Sequence, residues 1–214
     1  MERMEFEKHP DIEGPCNELE AGVAVGKPVT TSNVDTDFYV SEPVATPPQS
    51  YKSATQQAIF ATLASLAIPF LRVDTGDGTT MEACIPIGEK LRNRVIKTVF
   101  LTNRQQTLFW LYVTDPDRPF VTKDFCAALS IPRVSFASEE HLLAMMGTPH
   151  GATTVLALVQ DADQSIQLVM DRTIAQSEYI SCTDGTNTGF VRLRTKHLLE
   201  CYLPHTAHAP ILID

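Results

Sequence analysis

The chain has 214 residues, enough for one substantial core, and its 43% hydrophobic and 20% charged content is ordinary for a soluble globular protein. Lys and Arg number 17 against 26 Asp and Glu, and the formal charge of −9 argues against nucleic-acid binding through a broad basic surface while leaving room for a local basic patch. Five scattered cysteines with no C-x-x-C, a polar acidic N-terminus, and no apolar run near the ~20 residues a bilayer needs argue against a disulfide framework, a zinc site, a leader and a membrane span. A cytoplasmic location is the expectation.

Residues 1–50 carry six prolines, many acids and only scattered apolar residues, and read as an extended, partly ordered N-terminal extension. Short strands at 23–25 and 38–40 are the only elements suggested there. The remainder, 51–214, reads as one domain. Ile59, Leu63 and Leu66 recur at helical spacing and predict an amphipathic helix from Thr55, stopped by Pro69. A strand over 70–74 follows, closed by the turn Gly76-Asp77-Gly78. Residues 81–91 form a helix or loop interrupted by Pro86 and Gly88. Two strongly apolar stretches, around Lys97 and over 108–113, predict a hairpin across the turn at 103–106, with both strands central in a covered sheet.

Thr122 is placed to cap a helix through Leu129, and Pro132 precedes a brief strand at 134–136. Ser138 caps the next helix, whose buried side would be Leu142, Leu143, Met145 and Met146 and whose left-handed end would be Gly147. A strand over 153–159 with an antiparallel mate at 166–170 comes next, then a helical turn at Ile174. Strands at 179–181 and 190–193 flank the polar turn 184–187, and a final helix runs from Thr195 to Pro204. This order is α+β, with a mixed, mainly antiparallel sheet and surrounding helices.

No histidine sits in a nucleophile-elbow context, no metal-ligand spacing occurs, and no glycine-rich phosphate loop follows a strand. Two features stand out. Lys97 interrupts an apolar strand, on the face of Val95, Val99 and Leu101, and a lysine there is an edge residue that blocks aggregation or points into a cavity that takes an anion. With Lys90, Arg92 and Arg94 it forms a cationic run that is a solvated face or a phosphate-binding rim. The second feature is Gly147-Thr148-Pro149-His150-Gly151, a plain cap and turn or a place where backbone N–H groups approach a ligand.

Taken in order, these segments resemble the YbaK-type prolyl-tRNA editing domain, and within it the freestanding alanyl-tRNA(Pro) deacylases, also called prolyl-tRNA-synthetase-associated domains. The resemblance rests on Ile68-Pro69-Phe70, Lys97-Thr98-Val99-Phe100-Leu101, Phe109-Trp110-Leu111 and Ser135-Phe136-Ala137-Ser138. It continues through the turn at Gly147 and Gly151, Thr186-Asn187-Thr188, and the terminal His208-Ala209-Pro210. It implies a YbaK-like α+β fold and hydrolysis of mischarged aminoacyl-tRNA without metal or other cofactor, water attacking the ester with help from the substrate's own ribose hydroxyl. Lys97, Gly147 and Gly151 would be the catalytic positions, Lys97 meeting the tRNA 3′ end and the glycine turn holding the ester. Thr98, Thr183, Asn187 and Arg94 would bind substrate. Thr98 stands where the family has Asn, Thr183-Asp184 where it has His-Pro, and Pro149 comes one position early; the first two bear on which amino acid is accepted. Ala-tRNA(Pro) is the expected substrate, with Ser- or Cys-tRNA as the alternative and a non-catalytic tRNA- or synthetase-binding module as the other outcome. Mischarged tRNA is the expected partner, with prolyl-tRNA synthetase or the N-terminal extension supplementing the weak tRNA affinity of an acidic body.

Overall fold

Helix α1 (Ala54–Ser65) opens the main body, with Ser53 Oγ accepting from Gln56 N–H and Ile59 and Leu63 fully buried. The computed structural model describes residues 38–78, 80 and 82–214, so the expected strand at 23–25 and most of the N-terminal extension lie outside it. Strand β1 (Phe70–Asp74) carries single-residue bridges from Val44 and, just beyond its end, from Val40 to Thr75. The helix or loop expected at 81–91 contains α2 (Cys84–Leu91), with Pro86 in the first turn, where its missing N–H costs nothing.

Strands β2 (Lys97–Asn103) and β3 (Phe109–Thr114) form the expected antiparallel hairpin, paired from Lys97↔Thr114 to Thr102↔Phe109. They are central in a five-stranded sheet ordered β4-β2-β3-β5-β8, where β4 is Val134–Phe136, β5 is Ile166–Asp171 and β8 is Ile211–Ile213. Alternation supplies two cores. Phe100, Leu111, Val113 and Leu168 face one side, toward α1, while Val99, Leu101, Trp110, Tyr112 and Val169 face the other, toward α3 (Thr122–Leu129). Each fully buried Leu or Phe in these layers stabilises by about 1.5–3 kcal/mol. A second sheet, ordered β1-β7-β6 and antiparallel throughout, is made from β6 (Tyr179–Thr183) and β7 (Gly189–Arg194). The two sheets meet at one corner, where Val95 bridges to Ser181. The α+β class with a mixed, mainly antiparallel arrangement is therefore observed, in two sheets.

Several local readings change. Residues 153–159 are not a strand: Val155–Gln160 is a 3₁₀ turn capped by Thr154, and β5 pairs in parallel with β3 and β8. The run Val155 to Leu158 is buried all round, and such a run has no periodicity to separate a strand from a helical turn. Val121 rather than Thr122 flanks α3, and Leu143 on α4 (Glu139–Met146) is 52% exposed, leaving Leu142 and Met146 as its buried pair. Beyond the short α5 (Arg172–Ala175), α6 (Thr195–His197) runs through a π-helical turn (Leu198–Tyr202) into α7 (Leu203–His205). Pro204 lies inside α7, near its N-terminus, and does not end the helix. The Tyr202 hydroxyl donates to the Leu156 carbonyl at 2.6 Å, fixing this stretch to the 3₁₀ turn.

Candidate active site

Strand β2 has a partner on one side only over its first residues. β4 covers just 101–103, and beyond it the Ala137 N–H donates to the Phe100 carbonyl at 2.9 Å. At the other end the Ile96 N–H donates to the Ser181 carbonyl at 2.8 Å, whereas Asn103 turns its N–H to Leu108 in the hairpin. Peptide groups alternate in direction along a strand, so Thr98, midway between Ile96 and Phe100, points its N–H and C=O to the side away from β3. No partner meets them among the described residues. The sheet edge therefore has a gap one residue pair long.

A cavity of about 300 Å³ lies along this gap. Lys97 and Thr98 form its β2 wall, Phe136 and Ala137 flank it from the end of β4, and His150 and Gly151 come from the turn after α4. Ile96, Phe100, Leu142, Cys182 and Phe190 give it a largely apolar floor, all of them buried. The Thr183 hydroxyl, on the β6 wall, donates to the Ala152 carbonyl at 2.8 Å and so has no proton left for a ligand.

Lys97 is half-buried, at the rim, and its ammonium donates to the Arg118 carbonyl at 3.2 Å. Arg118 is in turn paired at 3.2 Å with Asp171, a carboxylate 2% exposed that also accepts from Tyr112, from Thr114 Oγ1 at 2.5 Å and from Asp115 N–H at 3.3 Å. The loop that presents the carbonyl to Lys97 is thus fixed from below by a buried acid. Asp171 holds the Arg118 guanidinium charged, raising its proton affinity, and burial pushes the Tyr112 phenol up to about 12.

Four of the expected site residues, Lys97, Thr98, Gly151 and Thr183, share this cavity. The other three lie elsewhere. Gly147, at φ 61°, caps α4 in the left-handed region, and a Cβ there would run into the Thr55 hydroxyl. Arg94 lines a neighbouring cavity and pairs with Asp115 at 3.7 Å and Asp117 at 2.5 Å. Asn187 sits in the β6–β7 turn, its backbone carbonyl accepting from Gly78 N–H at 2.8 Å and its buried Oδ1 without a partner among the described atoms. The cationic run is partly neutralised, since Lys90 pairs with Glu42 and Arg94 with two acids. Phe136, His150 and the apolar floor were not singled out by sequence as site residues; only their place beside the gap identifies them.

Cys182 and Cys84 also touch the cavity, and burial pushes their thiols up to about 12 and about 11 respectively, so both stay protonated at neutral pH and neither is a ready nucleophile. Among the described residues no group of three or more His, Cys, Asp or Glu side chains could hold a metal ion, and no helix is long and apolar enough to cross a membrane.

The family model described as "Aminoacyl-tRNA editing domain" matches residues 75–201, which include every cavity residue named above. The chain is 29% identical over 137 residues to "Prolyl-tRNA synthetase associated domain-containing protein 1" of Danio rerio, covering 63% of this chain and 73% of that protein. It is 22% identical over 143 residues to "Prolyl-tRNA editing protein ProX" of Acetoanaerobium sticklandii, covering 67% and 87%. Among solved structures, one described as a candidate trans-editing enzyme for prolyl tRNA synthetase superposes with a TM-score of 0.58 at 11% identity, covering 77% of this chain and 99% of that one. That likeness concerns the fold.

Proposed function

The chain belongs to the aminoacyl-tRNA editing domain family, and from that premise we propose that it deacylates mischarged tRNA in trans, with Ala-tRNA(Pro) as its substrate. The observation that carries this reading is the gap in β2: one cation, one peptide group unpaired among the described residues and an apolar floor meet in a cavity of about 300 Å³. A charged tRNA 3′ end offers a matching sequence of groups, namely phosphate, ester and amino-acid side chain. Lys97 takes the phosphate or ester region, the Thr98 peptide and the Gly151 turn align the ester, and the side chain lies on the apolar floor. Water adds to the ester carbonyl, charge develops on its oxygen, and the C–O bond to the ribose breaks, releasing the amino acid and a free ribose hydroxyl. A fixed ammonium and backbone N–H donors stabilise that charge without reorganising, and a single such donor is commonly worth about 10²–10³ in rate. Gly147 acts by setting the path of the turn, Arg94 by fixing the loop at Asp115 and Asp117, and Asn187 by bracing the floor through Gly78.

Selection of alanine over serine is supported by the floor, whose buried apolar side chains match a methyl group better than a hydroxyl; Thr183, its proton committed to Ala152, offers that wall an acceptor but no donor. Prolyl-tRNA synthetase is the proposed partner that supplies tRNA affinity to a body of charge −9.

The test is deacylation of a panel of charged tRNAs by the full chain and by Lys97→Ala. Hydrolysis of Ala-tRNA(Pro), cut about 100-fold or more by the substitution, is the expected result. Turnover of Ser- or Cys-tRNA instead would transfer the assignment to that substrate. A wild-type protein that hydrolyses none of them would refute the enzymatic reading.

A further inference from the structure

Phe136 is the most exposed large hydrophobic residue described, at 66%, and of the exposed ones it alone lines the cavity beside β2. A phenylalanine placed in water at the mouth of a site asks for an occupant. Its backbone pairs with Leu101, so its side chain shares the sheet face of Leu101, Val99 and Lys97. The Phe120 ring holds it by an edge-type contact, centroids 5.5 Å apart at 65°, and Phe120 is itself packed on Phe125 at 5.8 Å. The ring is therefore anchored from one side while most of its surface stays free. Leu101 lies four positions beyond Lys97 on β2, roughly 13 Å along the strand at ~3.3 Å per residue. The Phe136 ring rests on Phe120 and the Lys97 ammonium on the Arg118 carbonyl, and a span of that length accommodates about one nucleotide.

We propose that Phe136 is a stacking platform for the terminal nucleobase of the RNA 3′ end, with Lys97 meeting the phosphate of the same nucleotide. Single-stranded ends are recognised largely by stacking of bases on aromatic rings, beside cations that track the backbone. The gap at Thr98 lies between the two, so a base on Phe136 sets the register that places the ester over the apolar floor. This assignment rests on the deacylase reading for the identity of the RNA, and its test does not depend on hydrolysis.

The full chain is titrated with an uncharged RNA minihelix bearing a single-stranded 3′ end, and with the same RNA carrying an abasic ribose in place of its last nucleotide. Wild type should bind the intact end about tenfold more tightly, the usual worth of one base–aromatic stack. Phe136→Leu, which keeps an apolar side chain of similar size, should lose that difference, and Phe136→Tyr should keep it. Circular dichroism and thermal unfolding of both variants confirm that a surface change has left the fold intact. A wild type indifferent to the missing base, or a Phe136→Leu that still discriminates, overturns the platform whatever the deacylation panel shows. Conversely, base-dependent binding through Phe136 with no hydrolysis of any substrate would uphold the platform and remove the catalytic reading alone.

Discussion

Removing the Asp171 carboxylate tests whether the loop beneath Lys97 is held by a buried acid. The perturbation is Asp171→Ala. It leaves the hydroxyls of Tyr112 and Thr114 without their acceptor in a site where the carboxylate was 2% exposed. Each buried donor left unmade costs about 1–3 kcal/mol. Arg118 is 48% exposed and regains water, so its share is no more than about 1 kcal/mol. The total is about 2–7 kcal/mol, with a middle value of about 4. For a chain of this size that corresponds to a fall in Tm of about 10 °C. Arg118→Ala leaves the Asp171 carboxylate buried without its cation but still accepting from Tyr112, Thr114 and the Asp115 N–H, and should cost less, about 1–2 kcal/mol. Urea and thermal unfolding of both variants measure the contrast. Equal losses in the two variants would refute the argument, because the destabilisation would then come from the ion pair and not from the buried donors. Since the Arg118 carbonyl holds the Lys97 ammonium at 3.2 Å, Asp171→Ala should also lower deacylation at temperatures where it remains folded.

Two further substitutions follow from positions near the site. Gly147→Ala places a Cβ against Thr55 at φ 61° and should cost about 2 kcal/mol in urea unfolding; a neutral result would mean that the helix end can rearrange freely. Asp184 is buried, and desolvation outweighs the hydrogen bonds from Gln56 and Thr186, raising its proton affinity in the fold. Its contribution to stability is therefore full below the unfolded value of 3.8 and is lost as pH rises through the higher folded value. The stability of wild type relative to Asp184→Asn should accordingly decline as the pH rises above 3.8 and through the folded value, and a difference that grows with rising pH would contradict the assignment.

Local signals were legible where a residue's environment follows from its neighbours in sequence. The β2–β3 hairpin was visible because both strands are apolar on both parities, and the observed sheet buries both faces. The Ser138 cap and the left-handed Gly147 followed from side-chain chemistry alone. What failed depended on distant partners. The parallel pairing of β5 with β3, and the placing of β8 beside it, join segments whose own sequences are silent about direction. Arg94 could not be told from a free phosphate ligand, because Asp115 and Asp117 arrive from the loop beyond β3. Gly147 and Gly151 look alike in sequence, yet the chain turns so that only Gly151 reaches the cavity. The gap itself is a property of where β4 stops, and no residue of β2 encodes it.

An open sheet edge is a hazard to its owner, since it offers any other strand in solution a template. Among the described residues the open stretch of β2 is stopped at one end by Ala137 and at the other by Ser181, so an intruding strand finds one peptide group to pair with before it meets them. The ammonium of Lys97 adds a charge that an approaching copy of the same edge must meet with its own. Such an edge can receive a short guest but cannot propagate into a ladder of copies. The expected Lys97→Ala protein would lose more than a ligand contact: it would remove the charge that keeps this surface from recognising itself.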